Sequence, residues 1–421
     1  MNKYLKLSVT ALALILALCV SSGALAQDTI RIGALYPLSG PMALLGNHDM
    51  NGVMLATEIT NEQGGIGGKK IELVKADAPT EAAAESEAER LINVEHLNVL
   101  IGTYSSSLSF VASSVAEKYH KIYWETGAIA DAITQRGFKY LFRTCSQASD
   151  FGNAAADYAT QKLAPQLGIP IKDLKVCIMH EDSLFGTSTM GAAEKRLQSL
   201  GVKVLAKESY SKSVTDLSPL VMKFKSLQPD FVLATCYAND AILWERQMKE
   251  LNLNIKAMIG SGGGHGLLDF AKATGSDSDG VFSGDFPLIK NPKSLDPNLD
   301  PPLQTVFVRY KQKYGDFPDL HAMSGFTGAW VFYHYVLNKA GSTDPEAIRK
   351  AAYQVDIPEG STHMGWGVKF KPEGDPEAGQ NSRAFAVMMQ WQVELNYCVW
   401  PERYAEREAI LVPLPKWKDR N

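Results

Sequence analysis

From residue 29 onward the chain alternates short apolar runs with amphipathic segments, and it does so twice. Apolar runs at 30–35, 71–76 and 99–102 are separated by helix-patterned stretches near 43–63, 81–96 and 107–119. In the second of these, Ala84, Ala88, Leu91 and Ile92 fall at i, i+4, i+7 and i+8, one apolar stripe, while Glu85, Glu89 and Arg90 take the wet side. The rhythm restarts after residue 150, with strand-like runs at 174–179, 202–205, 231–235 and 256–259 and helical patterns near 186–200, 216–227 and 239–251. Strands alternating with helices at this spacing predict α/β architecture, a parallel sheet covered on both faces, built here as two doubly wound units in succession. A proline-rich stretch at 287–302 reads as a long surface loop, followed by helices near 307–314, 324–338 and 345–353 and by strands at 368–370 and 384–393.

The first 26 residues have a different logic. Lys3 and Lys6 precede a nearly all-apolar run from Leu7 to Val20, and Ala24-Leu25-Ala26 precedes Gln27. The run is too short to span a bilayer and ends in a small-x-small triplet, so 1–26 is expected to be a cleaved secretory signal peptide. The mature protein is then exported to the periplasm. With 42 Lys plus Arg against 46 Asp plus Glu and no basic block, nucleic acid is excluded as a natural partner. Cys145, Cys177, Cys236 and Cys398 lie far apart without CxxC spacing, which disfavours zinc. Two disulfides are allowed, but Cys177 and Cys236 fall within apolar runs, so isolated core thiols are the simpler expectation.

Enzyme signatures are missing where they should be visible. The run Gly64-Gly65-Ile66-Gly67-Gly68-Lys69-Lys70 lacks the spacing and the Ser or Thr of a phosphate loop and reads as a hairpin-like turn. The glycines at 260, 262, 263, 264 and 266 lack the dinucleotide pattern, no GxSxG elbow occurs, and the eight histidines show no metal spacing. No cofactor, metal or catalytic residue is expected. What remains is a set of polar loops at the carboxyl ends of expected strands, where open parallel sheets bind ligands. Tyr104, Ser105 and Ser106 open one helix, where hydroxyls and amides suit a carboxylate, although serine there also serves as a plain cap. Glu125, Gly127 and Ala128 end the next strand, and Glu125 must meet either a ligand donor or an internal Arg or Lys. Phe185 and Tyr237 end two strands of the second unit and are placed to close over an apolar ligand.

These residues carry a resemblance. Ile32-Gly33-Ala34-Leu35-Tyr36-Pro37-Leu38-Ser39-Gly40-Pro41, Asn61-Glu62-Gln63-Gly64-Gly65-Ile66, Ile101-Gly102 before the serines, Leu141-Phe142-Arg143-Thr144 and Pro229-Asp230-Phe231-Val232 occur in the order seen in the leucine/isoleucine/valine-binding family of periplasmic solute-binding proteins, which the chain resembles to about residue 395. The resemblance implies two lobes joined by three crossing hinge segments near Ser146–Gln147, Asp285–Phe286 and Ala384–Phe385. Lobe one is then 27–147 plus 286–384, lobe two 148–285 plus 385–400, and 401–421 a tail. It further implies a protein that closes on a small ligand and is recognised by an inner-membrane ABC permease; a monomer is the default expectation.

By position, Ser105 matches the family's carboxylate-binding serine, Gly127 a backbone contact, and Phe185 and Tyr237 second-lobe aromatics. The chain departs at Ile129, where relatives often have Thr, and at Gly262, where amino-acid binders carry the acid that holds the ammonium. The family's disulfide partner is Tyr104 here, so that bond is expected to be absent. The expected ligand is a small amphipathic carboxylate: either a hydrophobic amino acid whose ammonium is taken over by Glu125, Asp182 or Asp285, or an amine-free aromatic or aliphatic acid. Tyr104, Trp124, Phe185, Tyr237 and Phe286 are its expected walls. The competing readings are a two-lobed sensor of amides or amino acids and an exported α/β hydrolase, for which no nucleophile elbow or triad is present.

Overall fold

The computed structural model describes residues 29–288 and 294–420. The expected signal peptide lies outside the described residues. Among the described residues twelve strands form two sheets. The first, in spatial order β2-β1-β3-β4-β5, comprises β1 (Ile30–Tyr36), β2 (Ile71–Asp77), β3 (Val99–Gly102), β4 (Ile122–Glu125) and β5 (Leu141–Arg143), every pair parallel. The second, in order β12-β11-β10-β9-β8-β6-β7, comprises β6 (Lys175–Glu181), β7 (Lys203–Tyr210), β8 (Phe231–Cys236), β9 (Ala257–Gly263), β10 (Phe282–Asp285), β11 (Val387–Gln392) and β12 (Leu395–Trp400). It is parallel from β7 through β10 and antiparallel at β11 and β12.

Central strands such as β3, β4 and β8 are buried at every residue. Parallel strands covered on both faces read as continuous apolar runs for this reason, and they were the easiest to locate in the sequence. The edge strand β7 is largely half-exposed and extends through the polar Lys207–Tyr210, beyond its apolar start. The expected strand at 368–370 is reduced to isolated bridges, Ile357 to Val368 and Phe370 to Asn381. Strand β12 had no expectation, because its pattern is only partly buried. The glycine-rich turn at 64–70 is closed by an antiparallel bridge between Ile66 and Lys69.

Helices α1 (Ala43–Glu62), α2 (Glu81–Asn93) and α3 (Ser106–Lys118) follow β1, β2 and β3. The chain leaves the first sheet after β5 and enters α4 (Ala148–Tyr158), which packs on α5 (Leu184–Ser199) of the second unit; α6 (Ser218–Leu227), α7 (Ala238–Glu250) and α8 (Leu268–Thr274) complete that unit. After β10 the chain returns to the first unit as α9 (Leu303–Tyr314), α10 (Leu320–Val331) and α11 (Pro345–Ala352), then crosses a third time into β11. Helix α10 lies tight on α1: a Cβ on Gly52 would fall 1.9 Å from the Ala322 carbonyl oxygen, so only glycine allows this approach.

The first crossing is pinned by buried polar groups. Arg143, fully buried, donates to Gln380 Oε1, to the carbonyls of Ala128 and Ala130, and to Thr134 Oγ1. Gln380 and Asn381 in turn donate to the carbonyls of Cys145 and Thr144. Cys145, Cys177, Cys236 and Cys398 are buried free thiols. The C-terminal segment packs back on the second unit: Leu414 N–H donates to Lys256 O, and the Trp417 indole to Leu253 O.

Candidate functional site

Between the two sheets lies a small pocket with walls from both units. Tyr104, Ser105, Ser106, Gly127 and Ile129 come from the ends of β3 and β4; Phe185, Tyr237, Gly262 and Gly263 come from the ends of β6, β8 and β9. Asp285 and Phe286 enter from the second crossing, with Phe151 from α4 and His321 from the first turn of α10.

Ser105 is the N-cap residue of α3, yet its side chain makes no capping hydrogen bond. Its hydroxyl is therefore not consumed by the helix, and the unpaired N–H groups of a 13-residue helix open beside it. Ser106 Oγ accepts from Ala130 N–H and keeps its own proton to donate. The Tyr237 phenol interacts with the Ser105 hydroxyl across the cleft and with the Ser183 hydroxyl of its own unit. Asp131 N–H donates to Ser188 Oγ, so the two units touch at the pocket rim. Tyr104 takes a left-handed backbone conformation (φ 80°), an arrangement rare for a bulky residue and typical of functional loops. Its ring meets His321 edge-on at 5.0 Å, while Phe151 meets Phe286 at 5.3 Å and Phe185 meets Tyr237 at 5.5 Å.

Gly262 has φ 68°, and a Cβ there would fall 3.0 Å from Phe185 Cε2. Packing opposes an acidic side chain at this position: the Phe185 ring occupies the space a longer side chain needs. Of the three acids expected to replace it, only Asp285 lines the pocket. Asp182 is exposed and accepts from Lys212 N–H.

Glu125 corrects the sequence expectation. It is fully buried but not among the pocket residues, and it pairs with neither a ligand-facing group nor Arg143, its parallel neighbour on β5. Its Oε1 accepts from the N–H groups of Thr126, Gly127 and Ala128, and its Oε2 from Thr103 N–H, Ser109 Oγ and Tyr123 OH. Backbone amides do the work assigned in advance to a cation. Burial still pushes its pKa up, with these donors opposing the shift. Ala128 is likewise corrected: its side chain packs in the first unit's core and its carbonyl accepts from Arg143. Trp124, an expected wall, is buried against Phe142, Phe332 and Phe370 and donates to Gly328 O.

Asp285 is the opposite kind of buried acid. Oδ1 accepts from Phe286 N–H, while Oδ2 has no hydrogen-bond partner among the described residues. Burial pushes its pKa up to about 8, with the Phe286 amide opposing and Asp319 adding to the shift. His321 is also buried with both ring nitrogens unpartnered, and burial pushes its pKa down to about 4, so it is neutral at pH 7. Of the residues singled out in the sequence, Tyr104, Ser105, Ser106, Gly127, Phe185, Tyr237, Asp285 and Phe286 line one pocket. Phe151, Gly263 and His321 were missed. Phe151 follows the first crossing by only a few residues, a signal that was available; His321 had none, because the fold alone carries α10 to the pocket.

A two-lobed α/β protein with strand-end loops from both lobes around one small pocket has the construction of a ligand-capturing receptor. The comparisons with known proteins give the family. The family model for periplasmic binding proteins matches residues 29–392, and this chain belongs to that family. It is 37% identical over 402 residues to Leu/Ile/Val-binding protein homolog 7 of Brucella suis, covering 95% of this chain and 98% of that one. Its fold is similar to that of the leucine-binding protein LivK of Thermotoga maritima (TM-score 0.74, 20% identity, 87% of this chain and 97% of that one). It is also similar to a solute-binding protein of an ABC transporter from R. palustris in complex with benzoate (TM-score 0.72, 20% identity, 88% and 96%).

Proposed function

We propose that this chain is the exported receptor of an ABC importer and carries a small amphipathic carboxylate between its lobes. The observation that supports this best is the joint construction of the pocket: hydroxyls and a helix N-terminus from one lobe face aromatic rings from the other, and no lysine or arginine lines it. A carboxylate is held there by Ser105, Ser106 and the α3 amides, while Phe185, Tyr237 and Phe286 cover the rest. Relatives described as Leu/Ile/Val-binding protein homologs, and structural neighbours described as leucine-binding or complexed with benzoate, support the same ligand class.

Ligand contacts from both lobes exist together only when the lobes approach, so binding favours the closed form in proportion to its differential affinity. We place lobe one at 27–147 plus 286–384 and lobe two at 148–285 plus 385–400, with cleavage after Ala26 releasing the receptor as a periplasmic monomer. The closed form is what an inner-membrane permease recognises, and ligand is delivered without turnover. No helix among the described residues is long and apolar enough to cross a membrane.

The test is thermal unfolding of protein refolded free of ligand, with amino acids, their deaminated analogues, aromatic acids and short amides. A true ligand at 100 times its Kd stabilises the fold by about 2.7 kcal/mol and raises the midpoint. Ser105→Ala is expected to weaken every carboxylate ligand about tenfold, or ~1.4 kcal/mol. Unchanged affinity across the panel would remove Ser105 from the site.

A further inference from the structure

One titratable group at the pocket has no part in holding a carboxylate, and it sits where the lobes part. Asp285 is the last residue of β10, at the second crossing, and lines the pocket. Its Oδ2 lies by Gly266, where a Cβ would fall 2.7 Å from it and 2.9 Å from Ser283 Oγ. Gly266 in turn lines an outer groove whose far wall is Phe317, Asp319 and Leu320 of the first unit. Both openings beside this carboxyl are therefore shared between the lobes. With the lobes together Asp285 is 1% exposed, and among the described residues its carboxyl has one donor, Phe286 N–H, and no cation. An ionised carboxylate so poorly partnered is costly to keep dry, and parting the lobes wets it.

We propose that Asp285 takes up a proton as the lobes close, so that capture of ligand is coupled to capture of a proton and weakens in alkaline medium. This rests on the two-lobed receptor reading and is independent of which carboxylate is bound. In the closed form burial holds the Asp285 pKa up at about 8, whereas a hydrated aspartate titrates near pH 4, about its ordinary value. The closed form keeps the proton across that window and the open form does not. Closing is thus easiest in acid and is lost as pH rises through the closed-form value. Of the other titratable groups around Asp285, Asp319 is held ionised against burial by His48, and Tyr104 and Tyr237 keep their protons. His265 is buried in the second unit's own core and neutral. His321 runs the other way: burial pushes its pKa down to about 4, so closing expels its proton in acid. The two effects offset below pH about 6.5 and leave net uptake from there to about 8, where closing should weaken up to about tenfold per pH unit.

The experiment is an NMR titration of isotope-labelled aspartate carboxyls in ligand-free refolded protein, locked shut and unlocked, with the Asp285 signal assigned from its loss in Asp285→Asn. Two independent locks guard against one failing to fold. Lys272→Cys with Asp316→Cys, exposed positions whose native side chains meet across the lobes at 3.6 Å, is joined by a short bismaleimide. Asp131→Cys with Ser188→Cys, at the rim contact, is joined as a disulfide. Small-angle scattering reports whether locking makes the protein more compact. The Asp285 midpoint is expected to lie about two pH units or more higher in the locked protein, about a hundredfold preference of the closed form for the proton. If locking compacts the protein and leaves the midpoint within about half a unit, the inference is overturned while the receptor reading stands. If neither lock changes the size of the protein, lobe closure fails and the inference falls with it.

Discussion

Two strand ends of this molecule each bury a carboxylate, and they use it in opposite ways. At the end of β4, Glu125 collects six donors, four of them backbone N–H groups, and faces away from the pocket. At the end of β10, Asp285 lines the pocket with one backbone donor on Oδ1, and its Oδ2, close to Gly266, has no hydrogen-bond partner among the described residues. Glu181, at the end of β6, falls between them, with donors from Ser183 N–H, Ser183 Oγ and Gly186 N–H. A buried acid is therefore not a ligand residue by virtue of burial or strand-end position. The number of donors the fold supplies decides whether it is scaffold or site.

This ordering is open to direct attack. The largest effect is expected from Glu125→Ala, which strips partners from Thr103, Gly127 and their neighbours and should cost about 3–5 kcal/mol of stability in urea unfolding. A loss below about 1 kcal/mol would break the scaffold assignment. Glu181→Ala should cost less, about 2–3 kcal/mol, since it orphans fewer groups while uncapping α5. A loss exceeding that of Glu125→Ala would show that donor count is the wrong measure.

Asp285→Asn is expected to have the smallest effect at low pH, and its signature is a slope. The folded protein keeps the Asp285 proton up to pH about 8, whereas an unfolded aspartate is ionised above pH about 4. The folded state thus binds more protons in that window, and the wild type loses stability as pH rises through it. Asparagine cannot titrate, so the variant should gain on the wild type by up to about 1 kcal/mol per pH unit between pH 5 and 8. Parallel stability–pH curves for the two proteins would place Asp285 in water or against an unrecognised partner.

The parts of the fold that were legible share one property. β3, β4 and β8 are buried on both faces and read as unbroken apolar runs, and α2 shows its stripe because one face alone is covered. The edge strands β7 and β12 were shortened or missed because half-exposed residues carry no pattern distinct from loop. In the pocket, Ser105, Phe185 and Tyr237 could be located because they follow strand ends, a position that has meaning in any parallel sheet. Glu125 met the same rule and proved otherwise, since the rule does not say which way a side chain turns.

The sequence by itself determined the α/β class, the two repeated units and the strand-end loops, because local periodicity and the buried character of parallel strands are written in consecutive residues. It also determined the family. Which acid is bare, why position 262 must be glycine beside Phe185, and that His321 from a distant helix completes the pocket were decided only by tertiary structure. Those outcomes depend on where backbone N–H groups from separate segments converge, and no linear spacing encodes the number of donors that reach one carboxylate.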